Sequence, residues 1–170
     1  MSRKFRRKKI DLRLREIFKK KEVLVDTGPL LIHATGFYDK KLLPRVSSQG
    51  LDKYEFDAVA GLFSVFKRFF ITPYVLCEWC AHIENKLKIK DNRLKDFIDN
   101  YKEIIFKFDE INVSKEDIIN SEAIKFGFTD ASVVIVSEKE DIPILTIDNP
   151  LIGWCQKKGL KVVGLHQLIF

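Results

Sequence analysis

The chain has 170 residues, 46% of them hydrophobic and 32% charged, with 14 Phe and a net charge of +6. That composition suits one globular domain able to bury roughly two-thirds of its unfolded surface, and it excludes disordered, fibrous and repeat-built proteins. Three cysteines, Cys77, Cys80 and Cys155, are too few for a disulfide framework, and no apolar run suits a membrane span or a signal peptide, so a reduced, cytoplasmic setting is expected.

The charge is unevenly spread. Residues 1–22 carry eleven basic against three acidic side chains, a net of +8, and the remaining 148 residues carry −2. A near-neutral body with a basic N-terminal arm over residues 1–21 is the pattern expected of a domain to which nucleic acid is steered. Arg3, Lys4, Arg6, Arg7, Lys8, Lys9, Arg13 and Arg15 are the candidate contacts. Ile10, Leu14, Ile17 and Phe18 fall at helical spacing, which predicts that part of the arm is an amphipathic helix docking on the body or a partner. A solvated tail or a membrane-surface helix is the plainer reading.

The body opens on E-V-L-V-D-T-G-P-L-L, Glu22 to Leu31. Val23, Leu24 and Val25 read as a buried strand, Gly28 and Pro29 stop it, and a short helix is expected from Pro29 to about Thr35 with Gly36 as its stop. Asp26 then stands at a strand's carboxyl end, where open α/β sheets bind ligands. The stretch from Tyr38 to Gly50 is polar, loop-like and a candidate lid. Apolar positions from Leu51 to Phe70 recur at helical intervals and predict one long core helix, so the segment around 37–70 reads as a helical insertion.

Thr72-Pro73 is a helix start, and the helix should run through Glu84 with Val75, Leu76, Trp79 and Ile83 inward and Glu78 beside them. A helix over Asp91 to Tyr101 and a strand over Ile104 to Phe108 follow. Ser114 with Asp117 resembles a cap for a helix reaching Phe126, ended by Gly127. Thr129 is read as the cap of a deeply buried helix, with Asp130 in its first turn. Ile142 to Ile147 is a strand leading to Asp148 and the turn pair Asn149-Pro150; a helix from Leu151 to Lys158 and a strand over Lys161 to Val163 close the chain. The alternation of strands and helices argues for an α/β sandwich with a largely parallel sheet.

Asp26 and Asp148 therefore share one setting, a strand's end before a turn and helix, and in a parallel sheet they share one rim. Asp130 and Glu78 converge there if their helices pack across it. Several carboxylates brought together repel one another unless protons or cations lie between them. Oxygen-only ligands select hard ions, Mg²⁺ or Mn²⁺, which bind phosphate oxygens and activate water. Joined to the basic arm, this chemistry points to a nuclease.

Four stretches, V-L-V-D-T-G-P-L at Asp26, I-T-P-Y-V-L-C-E at Glu78, F-G-F-T-D-A-S-V-V-I-V-S at Asp130 and I-L-T-I-D-N at Asp148, resemble the PIN-domain ribonucleases in order and local sequence, from Val23 to about Val163. The resemblance implies a three-layer α/β/α sandwich with a central, mainly parallel sheet. It also implies that Asp26, Glu78, Asp130 and Asp148 form an acidic Mg²⁺ or Mn²⁺ site, with Thr27 and Thr146 as neighbouring hydroxyls. Asn149 stands where the family often has charged residues and is a candidate for holding a metal-bound water. Members commonly cleave RNA, many are toxins held by an antitoxin partner, and dimers are common. The basic arm and the 37–70 segment make this chain longer than compact toxin-like members.

Cys77-Glu78-Trp79-Cys80 lies inside a predicted helix and reads as a pair of buried structural thiols, not a zinc or redox motif. His33, His82 and His166 are scattered and read as packing or surface residues. The rival reading is a catalytically silent RNA-binding or assembly module that uses the basic arm. A phosphoacceptor or phosphatase with Asp26 as nucleophile lacks an adjacent acid pair.

Overall fold

The computed structural model describes residues 12–46 and 52–169. Arg3, Lys4, Arg6, Arg7, Lys8, Lys9 and Ile10 lie outside these, as does the side chain of Arg13. Helix α1 (Leu12–Lys20) makes up nearly all of the described part of the arm. Its Ile17 is buried, Leu14 and Phe18 pack on the core, and Phe18 meets Phe66 at 5.6 Å, so the helical spacing is used for docking on the body. Arg15 is exposed. Lys20 and Lys161 both pair with Asp141, which fixes the end of α1 to the chain just before the fourth strand.

Strand β1 (Glu22–Val25) has Val23, Leu24 and Val25 fully buried, as a parallel strand covered on both faces must. Helix α2 (Thr27–Tyr38) begins at Thr27 instead of Pro29, because Asp26 caps it, and it passes straight through Gly36. A Cβ at Gly36 would come within 2.2 Å of the Phe56 ring, so this glycine permits close approach of neighbours and ends nothing. The expected loop after Tyr38 contains a 3₁₀ turn, Lys40–Arg45, capped by Asp39; residues 47–51 lie outside the described ones.

The long helix expected over 51–70 is two elements. Helix α3 (Asp52–Val65) ends early, and β2 (Arg68–Ile71) pairs with β1 from Glu22↔Arg68 to Leu24↔Phe70. Phe63, Phe66 and Phe70 fit a helical period, but the N–H groups of Lys67 and Arg68 both donate to the Lys21 carbonyl, at 2.7 and 3.1 Å, and sheet pairing overrides the period. Helix α4 (Pro73–Lys86) starts at Thr72-Pro73 as read, with Val75, Trp79 and Ile83 buried.

Helix α5 (Asn92–Ile105) runs past Tyr101, because Ile104 and Ile105 extend the apolar stripe of Phe97 and Tyr101; only β3 (Phe108–Glu110) is strand. Ser114 caps α6 (Lys115–Asn120), but Ser121 interrupts it and caps a 3₁₀ turn, Glu122–Phe126. Helix α7 (Phe128–Glu140) is capped by Gly127 at φ 123°, not by Thr129. There follow β4 (Ile144–Thr146), α8 (Asn149–Lys157), β5 (Val162–Gly164) and α9 (His166–Ile169).

The sheet has the order β3-β2-β1-β4-β5 with every described pairing parallel, and helices cover both faces in a three-layer α/β/α sandwich. The chain winds from β1 outward through β2 to β3, then returns to β4 on the other side of β1 and winds outward to β5. Its direction reverses between β1 and β4, and the crevice outside the carboxyl ends of such a pair is where doubly wound sheets bind ligands. Among the described residues no helix is long and apolar enough to cross a membrane. Cys77 is exposed and Cys80 half-buried, so the expected pair of buried thiols is not formed. His33 sits against Phe63, with its Nδ1 2.6 Å from the Tyr101 hydroxyl, and burial pushes its pKa down to about 4.

Candidate active site

Both central strands end in an acid that caps the next helix. In the β1–β4 register Leu24 faces Ile144 and Val25 faces Leu145, and the Asp26 N–H donates to the Leu145 carbonyl at 3.0 Å. Continuing that register sets Asp26 opposite Thr146. The Thr146 hydroxyl accordingly donates to Asp26 Oδ2 at 2.6 Å, while the Thr27 N–H donates to Asp26 Oδ1 at 2.7 Å. Asp148 caps α8 by accepting from the Leu151 N–H at 2.8 Å, and its own N–H donates to Thr146 Oγ1 at 3.1 Å.

Glu78 reaches this rim from α4. Its Oε2 accepts the Thr27 hydroxyl hydrogen at 2.6 Å. Glu78, Thr27, Asp26, Thr146 and Asp148 thus form one connected polar path across the switch point, with both threonines and Asp26 buried. Asp130, in the first turn of α7, joins through its electric field and not through a bond within the path. The starts of α4 and α7 are clamped together by Thr72 and Ser132. Ser132 Oγ donates to the Thr129 carbonyl at 2.7 Å, so the 2.8 Å contact has the Thr72 hydroxyl donating to Ser132, and both side chains are fully buried.

The charges respond to this crowding. Burial first, then the charges of Glu78 and Asp148, push Asp26 from the ordinary 3.8 up to about 6, against the bonds from Thr146 and Thr27 that favour its ionised form. Burial and then the charges of Asp26, Asp148 and Glu78 push Asp130 up to about 7. All four sequence-chosen acids therefore share one electrostatic neighbourhood. Asn149 lies at the exposed first position of α8, beside the path but outside it. Of the candidate nucleic-acid contacts, only the exposed Arg15 has a described side chain.

Two contributors escaped sequence reasoning. Ser132 sits inside the stretch around Asp130 and reads there as filler, because its partner Thr72 is distant in sequence. Gly28 reads as a strand stop, yet it lies within α2, where a Cβ would stand 2.5 Å from Ile147 Cγ1. Its small size lets the first turn of α2 close on the segment between Thr146 and Asp148. The Gly-Pro pair after Asp26 was the available signal.

No protein-family model and no curated protein sequence matches the chain. Among solved structures, PAE2754 from Pyrobaculum aerophilum is similar over 87% of this chain and 92% of that one, with a TM-score of 0.54 and 18% sequence identity. The likeness extends to the fold alone.

The donors at the rim are carboxylate and hydroxyl oxygens, the kind that hard divalent cations take, with Asp26 and Asp130 driven toward protonation by burial and by the neighbouring acids. Among the described residues, however, no group of three or more His, Cys, Asp or Glu side chains is arranged to hold an ion directly. Both oxygens of Asp26 already accept hydrogen bonds, and threonines separate it from Glu78 and Asp148. The arrangement suits a hydrated ion that keeps most of its water and takes one or two carboxylates, as Mg²⁺ does.

Proposed function

We propose that this protein is a Mg²⁺- or Mn²⁺-dependent endoribonuclease of the PIN type, hydrolysing RNA phosphodiester bonds at Asp26, Glu78, Asp130 and Asp148 in a reduced, cytoplasmic setting. The observation that carries the reading is the hydrogen-bonded path from Glu78 through Thr27, Asp26 and Thr146 to Asp148, lying at the reversal point of a parallel sheet with Asp130 coupled to it. The order of the four sequence stretches supports the same reading. A bound divalent ion would neutralise charge on the attacked phosphate and make water a better nucleophile. The chain's own part would be to hold four acids ready for that ion: Thr27 and Thr146 fix the spacing of three, and the Thr72–Ser132 clamp ties α4, which carries Glu78, to α7, which carries Asp130.

A specific observation favours the rival, a silent RNA-binding or assembly module: no three acids are arranged to hold an ion directly among the described residues. The two separate on labelled RNA and DNA incubated with Mg²⁺ or Mn²⁺, with a chelator control. The nuclease reading requires metal-dependent cutting of RNA that Asp26→Asn and Asp130→Asn abolish. Salt-sensitive binding without cutting establishes the silent module, and metal-independent cutting overturns the mechanism. The arm is tested by removing residues 1–9, which leaves α1 and its buried Ile17 in place. RNA affinity should fall while divalent-ion binding is kept. A toxin-like pairing with an inhibitory protein and a homodimer are further proposals of the same resemblance, testable by co-purification and by mass in solution.

A further inference from the structure

A half-exposed aromatic opens the helix that carries Asp130. Phe128, the first residue of α7, is 48% exposed, and its ring centroid lies 6.3 Å from that of Tyr74 in the first turn of α4, with the planes at 41°. Helical spacing fixes what these rings border. Tyr74 and Glu78 are four residues apart and share a face of α4, while Phe128 and Ser132 are four apart and share the face of α7 that meets Thr72. The rings therefore sit over the clamped junction of α4 and α7, on the face of α4 that carries Glu78, with Asp130 two residues along α7 from Phe128 and turned away from the ring. Among the described residues, Phe128 is the one exposed large apolar side chain in the first turn of a helix bearing one of the four acids.

The neighbouring aromatic pair is already covered. Phe126 and Trp154 meet edge to face at 5.9 Å, and Lys125 lies 5.2 Å from the Phe126 ring centroid and 5.4 Å from that of Trp154, with Lys158 5.5 Å from Trp154 as well. Those ring faces are occupied by the chain's own cations, whereas no such cation is described over Phe128. An uncovered ring beside a phosphodiester-cleaving centre is suited to a nucleobase, because every base has a π-face and stacking needs no sequence-specific bond. A duplex offers no such face, since its bases are stacked on one another.

We propose that Phe128, backed by Tyr74, is a stacking platform for one unpaired base of an RNA strand whose adjoining phosphate is presented to the acid rim. The proposal rests on the endoribonuclease reading for its substrate and makes Phe128 a positioning residue for a single strand.

The test places 2-aminopurine in a short single-stranded RNA and follows its fluorescence with full-length protein in chelator, so that nothing is cut. Wild type should quench the probe, Phe128→Ala should abolish the quenching and weaken binding roughly ten-fold, and Phe128→Tyr should restore both. The same RNA as a duplex should show no dependence on Phe128. Phe128→Ala that binds and quenches like wild type overturns the platform, as does equal Phe128 dependence on duplex. The two readings fail separately: cutting by wild type with no Phe128 effect refutes the platform and spares the nuclease, while Phe128-dependent quenching without metal-dependent cutting refutes the nuclease and establishes the platform on a binding module.

Discussion

Asp26→Asn should make the protein more stable while abolishing the RNA cleavage proposed for it. The rise of the Asp26 pKa from 3.8 to about 6 corresponds to about 3 kcal/mol of cost in holding the ionised carboxylate, at roughly 1.4 kcal/mol per pH unit. The folded state binds this proton more tightly than the unfolded chain does. Wild type therefore loses stability as pH rises between about 4 and 6, and the loss is complete above about 7. Asn has the shape of the neutral acid and can still accept the Thr27 N–H through its Oδ1. Relative to wild type, the variant should gain little near pH 4 and about 3 kcal/mol at pH 8, or roughly 6–12 °C in melting temperature for a domain of this size. Thermal unfolding followed by circular dichroism at both pH values, without divalent ions, measures it. A variant no more stable than wild type at pH 8, or a difference that does not change with pH, would refute the reasoning that the site holds unrelieved charge.

Thr146→Val should act in the opposite direction. It removes the donor to Asp26 Oδ2 and the acceptor of the Asp148 N–H, so it should cost about 1.5–3 kcal/mol at pH 8 and less at pH 4, where Asp26 is protonated. Equal losses in denaturant unfolding at the two pH values would contradict it. Gly28→Ala lies within a helix, where propensity alone favours Ala by about 1 kcal/mol. Contact with Ile147 should reverse that sign to a net loss of about 1–3 kcal/mol, and combination with Ile147→Ala should show non-additive recovery in a double-mutant cycle. Additive behaviour would mean that Ile147 is not what the added methyl meets.

Features whose determining contacts are local are legible in the sequence. Asp26 and Asp148 each follow a buried strand and precede a helix start, so strand end, cap and rim position are written within a few residues. Glu78 and Asp130 carry no such local mark: their placement depends on Thr72 meeting Ser132, residues far apart in the chain, and only the motif order pointed to them. Strand β2 was hidden because Phe63, Phe66 and Phe70 satisfy a helical period, while Arg68 and the half-buried Phe69 give no strand-like run of burial. Gly36 looked like a helix stop because a glycine's use for close approach to Phe56 depends on a neighbour the local sequence does not reveal. The exposure of Phe128 is a property of the folded surface, which its local sequence does not mark.

The claim that the four acids act as one hard-cation site is tested most directly by titrating Mn²⁺ into the full-length protein in a calorimeter. The expected result is binding at pH 8 that weakens at least ten-fold in both Asp26→Asn and Asp130→Asn, and that weakens in wild type as pH falls through about 7 and 6, where Asp130 and Asp26 take up protons that compete with the ion. Absence of binding at pH 8, or binding indifferent to both substitutions, would contradict it.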